Sequence, residues 1–189
     1  LFNVTRNFAF VGIIAIGMMV VIASGGIDLS VGASVVLSAV VIGATMEQGW
    51  PLWAGIVFAL GAALIVGLVN GLLIAFLGMP PFVVTLGMLS FARSMALVLS
   101  NNKMIYEFGP DHELLLALGG GSTFGLPHPL IVMVILAVIM GFILKWTRWG
   151  QHIFAIGGNE SASILTGISV RGMKVSVYMF SAFTAGVAG

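Results

Sequence analysis

The sequence contains no cysteine and very little charge. Without cysteine, the chain has neither a disulfide framework nor a thiolate metal site. Charged residues make up 7% of the 189 residues, whereas soluble domains carry about 25%. A soluble protein with so little charge would expose large apolar patches that aggregate. The composition therefore excludes an ordinary soluble domain, and no basic patch indicates a nucleic-acid partner.

Apolar residues dominate what is present: 60% are hydrophobic and the mean hydropathy is +1.19. A membrane-spanning helix needs about 20 apolar residues, and several charge-free runs reach that length, namely 7–27, 29–46, 48–92 and 114–144. Strands of outer-membrane barrels alternate apolar and polar residues, but these runs are apolar on every side. We therefore predict an all-α integral membrane protein, a polytopic helical bundle bound to the lipid bilayer.

The interruptions predict about six spans. We expect them at 7–24, 30–46, 52–77, 82–100, 130–146 and from 173 onward, within one transmembrane domain covering 1–189. The chain starts at Leu1 and ends inside an apolar run, which indicates a fragment truncated at both ends. In the third span, GLVNG places Gly67 and Gly71 four residues apart, a spacing that predicts close contact with another helix.

Loop charges predict the orientation. Alternation of the spans puts 25–30, 78–81 and 147–172 on one side, and 47–51 and 101–129 on the other. The first side carries four basic residues at its edges, and the second carries two together with most of the acidic residues. Because basic residues favour the cytoplasm, we expect a cytoplasmic segment at 147–172 and a periplasmic loop at 101–129, with a short helix near 111–118.

The motif SGGIDLSVGAS interrupts the apolar pattern between the first two spans. Its candidate helix-break or pathway residues are Gly25, Gly26, Asp28, Ser30 and Ser34. One interpretation is a tight cytoplasmic turn with Asp28 or Ser30 as the N-cap of the next helix. The other is a hinge beside a polar path, because Ser30, Ser34 and Ser38 recur every four residues on one helical face. The sequence leaves both interpretations open.

A few further polar residues lie inside predicted spans. Ser38, Asn70 and Thr85 are candidates for lining a solute pathway, and the alternative is that they form hydrogen bonds between helices. Arg93 is costly in an apolar span and is a functional candidate for that reason. Alternatively it snorkels towards Ser100, which is about 10 Å along the helix. We expect no salt bridge to Asp28, which should lie near the opposite membrane face.

A capped helix is predicted outside the membrane. Asn159 is a good N-cap, Glu160 suits a first helical turn, and Gly167 suits a helix end. Ile164 and Leu165 would form the apolar side of this helix. On these features alone, it is either a simple surface loop with a helical turn or a docking contact for a soluble partner.

Three motifs carry a family resemblance: SGGIDLSVGA, PPFVVTLGMLSFARSMALVLS and TRWGQHIFAIGGNESASILTGI. In this order and at these separations they resemble permease subunits of bacterial ABC sugar importers, of the ribose, xylose, galactofuranose and autoinducer-2 type. The resemblance implies a permease of about ten spans in the bacterial inner membrane. It also implies a second permease subunit in a homo- or heterodimer, two cytoplasmic ABC ATPase subunits and a periplasmic sugar-binding protein.

The resemblance gives the 147–172 segment a role as the contact with the ATPase subunits. The implied coupling residues are Gly157, Gly158, Asn159, Glu160, Ile164, Leu165 and Gly167. Three departures from the family pattern bear on the ATPase partner or substrate subgroup: Ser161–Ile164 replace a frequent Glu-Ala-Ala-Arg, Ser94 replaces a glycine, and Gln151 replaces a common basic residue.

The implied function is import of a monosaccharide by alternating access. The chain lacks the phosphate-binding pattern G-x-x-x-x-G-K-[ST], so we expect no enzymatic activity of its own. We also expect no metal site and no bound cofactor, with ATP and Mg on the partner subunits. The alternative is an ion-coupled secondary transporter or channel, which usually needs intramembrane carboxylates or histidines. Asp28 is the one acid outside the polar loops.

An intramembrane protease is a further alternative. It needs a Ser–His or paired-Asp arrangement at a common depth. All three histidines, His112, His128 and His152, lie in or beside predicted loops, which argues against this class.

Overall fold

A computed structural model of the chain describes residues 2–106, 108–123 and 125–189. Glu107, an acid of the predicted 101–129 loop, lies outside the described residues. These form nine α-helices and one hairpin. The helices are α1 (Phe2–Ala23), α2 (Val31–Glu47), α3 (Leu52–Phe76), α4 (Pro81–Leu99), α5 (His112–Gly120), α6 (His128–Trp146), α7 (Arg148–Gly158), α8 (Glu160–Leu165) and α9 (Val170–Ala188). The hairpin pairs β1 (Ser122–Thr123) with β2 (Leu126–Pro127).

Each of the six predicted spans corresponds to a helix. Four helices, α1, α3, α4 and α6, are long and apolar enough to cross a membrane. Helix α2 is apolar but has 17 residues. Helix α9 has 19 residues and carries Arg171 and Lys174 near its start. The predicted all-α, polytopic bundle is confirmed.

Helix α9 packs against α1, α2 and α3 through small residues. A Cβ at Gly67 would lie 2.6 Å from the Tyr178 carbonyl oxygen, and one at Gly71 would lie 2.7 Å from Val175 Cα. On α1, a Cβ at Gly17 would overlap the Thr184 side chain. Glycines let membrane helices approach to backbone contact, so the contact predicted from GLVNG is confirmed and its partner is α9.

The loops meet in the two groups that alternation of the spans predicts. At one end, Asp111 Oδ2 accepts a hydrogen bond from the Leu52 amide at 2.9 Å, which joins the long loop to the start of α3. At the other end, Gly157 lies against the Ala23 carbonyl at the end of α1. The Arg171 guanidinium also lies 5.8 Å from the centre of the Phe76 ring. The 147–172 segment and the α1–α2 turn therefore share one end of the bundle.

The structure differs from the sequence expectation at several boundaries. Residues 148–158 form helix α7 where a loop was predicted, capped by Thr147 Oγ1, which accepts from the Gly150 amide at 3.3 Å. Helix α1 begins earlier than predicted, at Phe2, and α9 begins at Val170. The short helix predicted near 111–118 is present as α5. The hairpin was not predicted.

Candidate functional site: a buried polar turn and an exposed capped helix

The turn between α1 and α2 is tight and depends on glycine. Gly25 has φ of +80°, a left-handed conformation that costs glycine little and other residues more. The Gly26 amide then donates to the Val21 carbonyl at 2.9 Å, and Ser24 Oγ donates to the same oxygen at 2.7 Å. These bonds end α1 and direct the chain back into the bundle.

Asp28 is the centre of a buried hydrogen-bond network. Its side chain is 1% exposed. Its Oδ1 accepts from the Ser30 amide at 3.0 Å and from Ser30 Oγ at 2.6 Å, and its Oδ2 accepts from Ser181 Oγ at 2.8 Å. A buried carboxylate is costly unless donors surround it, and both oxygens here have one.

Of the two N-cap candidates for α2, Asp28 is wrong and Ser30 has the correct position. The N-cap position is Ser30, whose side chain makes no capping bond and instead donates to Asp28. Asp28 faces α9 instead, because Ser181 supplies a donor from that helix. The turn is thus part of the bundle interior, as the hinge interpretation requires.

Two further hydrogen bonds hold the turn. Asn70 Nδ2 on α3 donates to Ser30 Oγ at 2.9 Å, and the Tyr178 hydroxyl on α9 donates to the Ile27 carbonyl at 3.2 Å. Asn70 Oδ1 is buried without a hydrogen-bond partner among the described atoms. The α1–α2 turn is therefore tied to α3 at one point and to α9 at two.

The other serine and threonine candidates lie in helix contacts. Ser34, Ser38 and Thr85 are at most 1% exposed. Ser34 Oγ donates to the Ser30 carbonyl at 3.0 Å, Ser38 Oγ to the Ala59 carbonyl on α3 at 3.5 Å, and Thr85 Oγ1 to the Pro81 carbonyl at 2.8 Å. Of these three, Ser38 forms the hydrogen bond between helices that the sequence left open beside pathway lining, whereas Ser34 and Thr85 each donate to a carbonyl four residues earlier.

Arg93 lies away from this network. It is exposed on α4 and lines a groove of about 400 Å³ between α2 and α4, with Ala33, Val40 and Leu89 among its apolar walls. Within the part of the chain that the structure describes, the one ion pair joins Lys174 to Glu160. The side-chain partners of Asp28 are instead Ser30 and Ser181.

Helix α8 has the boundaries that its capping residues predict. Asn159 Oδ1 accepts from the Ala162 amide at 2.9 Å, which satisfies one of the free amides of the first turn. At the other end, the Gly167 amide donates to the Ile164 carbonyl at 3.0 Å, and Gly167 has φ of +83°. The predicted cap and the predicted end are both confirmed.

The same helix presents apolar side chains outward. Leu165 is 89% exposed and Ile164 is 58% exposed, while Ser163 is buried on the opposite side. Lys174 Nζ lies 2.7 Å from Glu160 Oε1 and so connects α9 to the start of α8. An almost fully exposed leucine beside an isoleucine on a six-residue helix is suited to contact with another protein.

The chain before α8 also contacts the polar turn. A Cβ at Gly157 would overlap the Ala23 carbonyl, and one at Gly25 would lie 3.8 Å from Gly157 Cα, whereas Gly158 faces open space. Trp149 Nε1 donates to Ser176 Oγ at 2.9 Å and joins α7 to α9. Sequence reasoning missed these contacts, although Thr147 and the spacing of Ile153 and Ile156 are signals for α7.

Comparison with known proteins identifies the family. Residues 1–189 match the family described as the permease component of the branched-chain amino acid transport system. The chain belongs to this permease family. It is 33% identical to the fructose import permease of Rhizobium meliloti over 98% of the chain and 53% of that protein. It is 35% identical to the ribose import permease of Bacillus subtilis (strain 168), over 99% of the chain and 58% of that protein.

A third relative is the galactofuranose transporter permease of Escherichia coli (strain K12), which is 34% identical over 99% of the chain and 54% of its own length. The chain thus spans about half the length of the permeases it matches. No solved structure matches the chain significantly. The resemblance to sugar-importer permeases is confirmed, and with the long apolar helices it makes this permease chain a multi-pass membrane protein.

Proposed function

We propose that this chain is part of a permease subunit that imports a monosaccharide across the bacterial inner membrane, driven by separate ABC ATPase subunits. The relatives named above are permeases for fructose, ribose and galactofuranose, and another is an L-arabinose ABC transporter permease from Azospirillum brasilense. The observation that carries the proposal is α8, a short capped helix that presents Leu165 almost fully exposed.

In this proposal, α8 docks in a cleft of an ATPase subunit. Burial of a leucine side chain contributes about 1.5–3 kcal/mol, so Leu165, with Ile164 beside it, is suited to anchor the contact. Gly157, Gly158, Asn159, Glu160 and Gly167 shape the segment on either side of these anchors. ATP and Mg bind the ATPase subunits, and this chain binds no cofactor.

Movement of α8 then reaches the membrane helices. When ATP closes the ATPase dimer, α8 moves with it, and α9 follows because the Lys174–Glu160 pair and a four-residue link, 166–169, connect the two helices. Rocking of α9 switches the pathway between two permease subunits, identical or different, from outward to inward exposure. A periplasmic sugar-binding protein delivers the sugar to the opposite membrane face.

The docking contact is tested by substituting its most exposed side chain. In the complete permease, Leu165→Asp places a charge where an apolar anchor should be buried, so co-purification with the ATPase subunits should be lost. Met104→Asp is the matched control, because Met104 is 79% exposed in the loop at the opposite end of the bundle. It should retain the ATPase subunits. Equal retention by both variants, at equal membrane expression, would contradict the proposal.

A further inference from the structure

We infer that Asp28 is a positioning residue of the transport cycle: it ties the α1–α2 turn to α9, so that the turn moves with the coupling helix α8. This inference rests on the proposed role of α8 as the ATPase contact. Asp28 does not touch the sugar in this account. It acts through Ser30 and Ser181, which accompany it in the buried network.

The first step of the argument is the attachment to α9. Ser181 Oγ donates to Asp28 Oδ2 at 2.8 Å, and the Tyr178 hydroxyl donates to the Ile27 carbonyl at 3.2 Å. Positions 178 and 181 are three residues apart and so share one face of α9. Two hydrogen bonds from one helical face to adjacent residues of the turn hold the turn at a fixed position along α9.

The second step is the attachment to α7. Gly157 lies against the Ala23 carbonyl so closely that a Cβ would overlap it, and Gly25 is also nearby. Helix α7 directly precedes α8, and α9 follows α8 after a short link. Helices α7 and α9, which flank α8 in the chain, therefore both contact the same turn. The Trp149–Ser176 hydrogen bond also connects these two helices to each other.

The third step is the connection to the membrane interior. Ser30 is the N-cap of α2 and receives a hydrogen bond from Asn70 in the last third of α3. Asn70 Oδ1 has no partner among the described atoms, so the network holds an unused acceptor and has room for a second pairing. A coupling element needs two discrete arrangements, and in this proposal a different pairing of the free Asn70 oxygen supplies the second one.

The consequence is specific. Loss of the bond between Asp28 and Ser181 leaves α8 and its exposed leucine in place, so the ATPase subunits still dock and still hydrolyse ATP. The α1–α2 turn then follows α9 through the Tyr178 bond alone, however, so hydrolysis drives opening of the pathway much less effectively. The expected defect is therefore uncoupling, with ATP hydrolysed while little sugar enters.

The test uses the complete permease with its ATPase subunits and binding protein in liposomes. The measured quantity is ATP hydrolysed per sugar imported, with radiolabelled ribose, fructose and L-arabinose as the probes. Ser181→Ala should raise this ratio roughly tenfold, the effect of one lost hydrogen bond to a charged group. Ser90→Ala is the matched control, because Ser90 is exposed on α4 and donates only to the Leu86 carbonyl of its own helix.

A conservative variant separates positioning from bulk packing. Asp28→Asn keeps the shape, lets Oδ1 still accept from Ser30, and lets the amide donate to the Ser181 oxygen, so coupling should be largely retained. Asp28→Leu branches at the same carbon but is larger and makes no hydrogen bonds, and it should be uncoupled like Ser181→Ala. If Asp28→Leu fails to assemble, Ser181→Ala still tests the positioning role, because it removes a single hydroxyl and so perturbs packing little.

A second readout does not depend on the sugar. A nitroxide on Ile27→Cys, whose native side chain is 47% exposed, is placed in a cysteine-free background of the complete complex. Its spectrum should change between the nucleotide-free and vanadate-trapped states, and Ser181→Ala should reduce that change.

The outcomes are distinguishable. A wild-type complex that imports none of the probes refutes the proposed function itself. A wild-type complex that imports sugar, with Ser181→Ala at the same ATP-to-sugar ratio and the same Ile27 response, overturns only the positioning role. An Asp28→Asn variant as uncoupled as Asp28→Leu also overturns it, because hydrogen bonding would then not be the cause.

Discussion

Gly71 of α3 lies directly against Val175 of α9, so closely that a Cβ on the glycine would stand 2.7 Å from the valine Cα. Membrane helices associate through close packing and hydrogen bonds, because lipid removes most of the hydrophobic driving force between them. This contact therefore does much to position α9. Helix α9 carries both Ser181, the partner of Asp28, and Lys174, the partner of Glu160.

Adding one methyl group should disturb this contact. Gly67→Ala and Gly71→Ala each place a Cβ against backbone atoms of α9, which cannot rotate away. Overpacking of this kind costs about 1–3 kcal/mol, so the thermal unfolding temperature in detergent should fall. Gly61→Ala is the control in the same helix, because nothing lies within 4 Å of its added Cβ. Equal behaviour of Gly61→Ala and Gly67→Ala would show that the contact is not close.

The N-cap of α8 should contribute measurably to the local stability of that helix. Asn159→Ala removes the acceptor of the Ala162 amide and should cost about 1 kcal/mol of local stability. Asn159→Asp should preserve the cap, because aspartate is an equally good N-cap residue. Hydrogen exchange of the Ala162 amide distinguishes the two variants: exchange should accelerate in Asn159→Ala alone. Equal acceleration in both would contradict the capping role.

The ion pair between Glu160 and Lys174 should contribute little to stability. Its side chains are 48% and 23% exposed, and exposed pairs typically contribute about 0.2–1 kcal/mol. A double-mutant cycle of Glu160→Gln and Lys174→Gln, followed by thermal unfolding, should return a coupling energy within that range that falls further in high salt. A coupling energy several times larger would mean that the pair is shielded from solvent.

Asp111 should hold the long loop onto the start of α3. It accepts from the Leu52 amide, 59 residues away, at 2.9 Å. Asp111→Ala frees that amide and should speed trypsin cleavage after Lys103 in the detergent-solubilised protein, because an untethered loop opens more often. Glu113→Ala, an exposed acid in the same loop, is the control and should leave cleavage unchanged. Similar cleavage of both variants would exclude a tethering role for Asp111.

Local patterns account for what could be predicted from the sequence. The six long helices follow from long apolar runs, although Arg93 lies within α4 and two basic residues lie near the start of α9. Helix α8 follows from Asn159 and Gly167, whose capping roles depend on near neighbours only. Helix α7 was missed because its 11 residues are too few to span a membrane and include the polar or charged Arg148, Gln151 and His152. The cap at Thr147 and the spacing of Ile153 and Ile156 were the available signals.

Long-range partners could not be predicted. Asp28 and Ser181 are 153 residues apart, and no local pattern brings them together. The GLVNG motif indicated that α3 would meet a helix through Gly67 and Gly71, but small-residue spacing does not say which helix. The role of Asp28 therefore changed from a local cap to a tertiary connection once α9 was placed.

ATP-dependent uptake into liposomes tests the central claim most directly. The complete permease is reconstituted with its ATPase subunits and binding protein, and uptake of radiolabelled ribose, fructose, L-arabinose and leucine is measured, leucine because the family is described for branched-chain amino acids. We predict uptake of a sugar that requires ATP, stops with a hydrolysis-deficient ATPase subunit or with Leu165→Asp, and is insensitive to ionophores. Uptake that proceeds without ATPase subunits and collapses with the ion gradient would contradict the account and identify a secondary transporter.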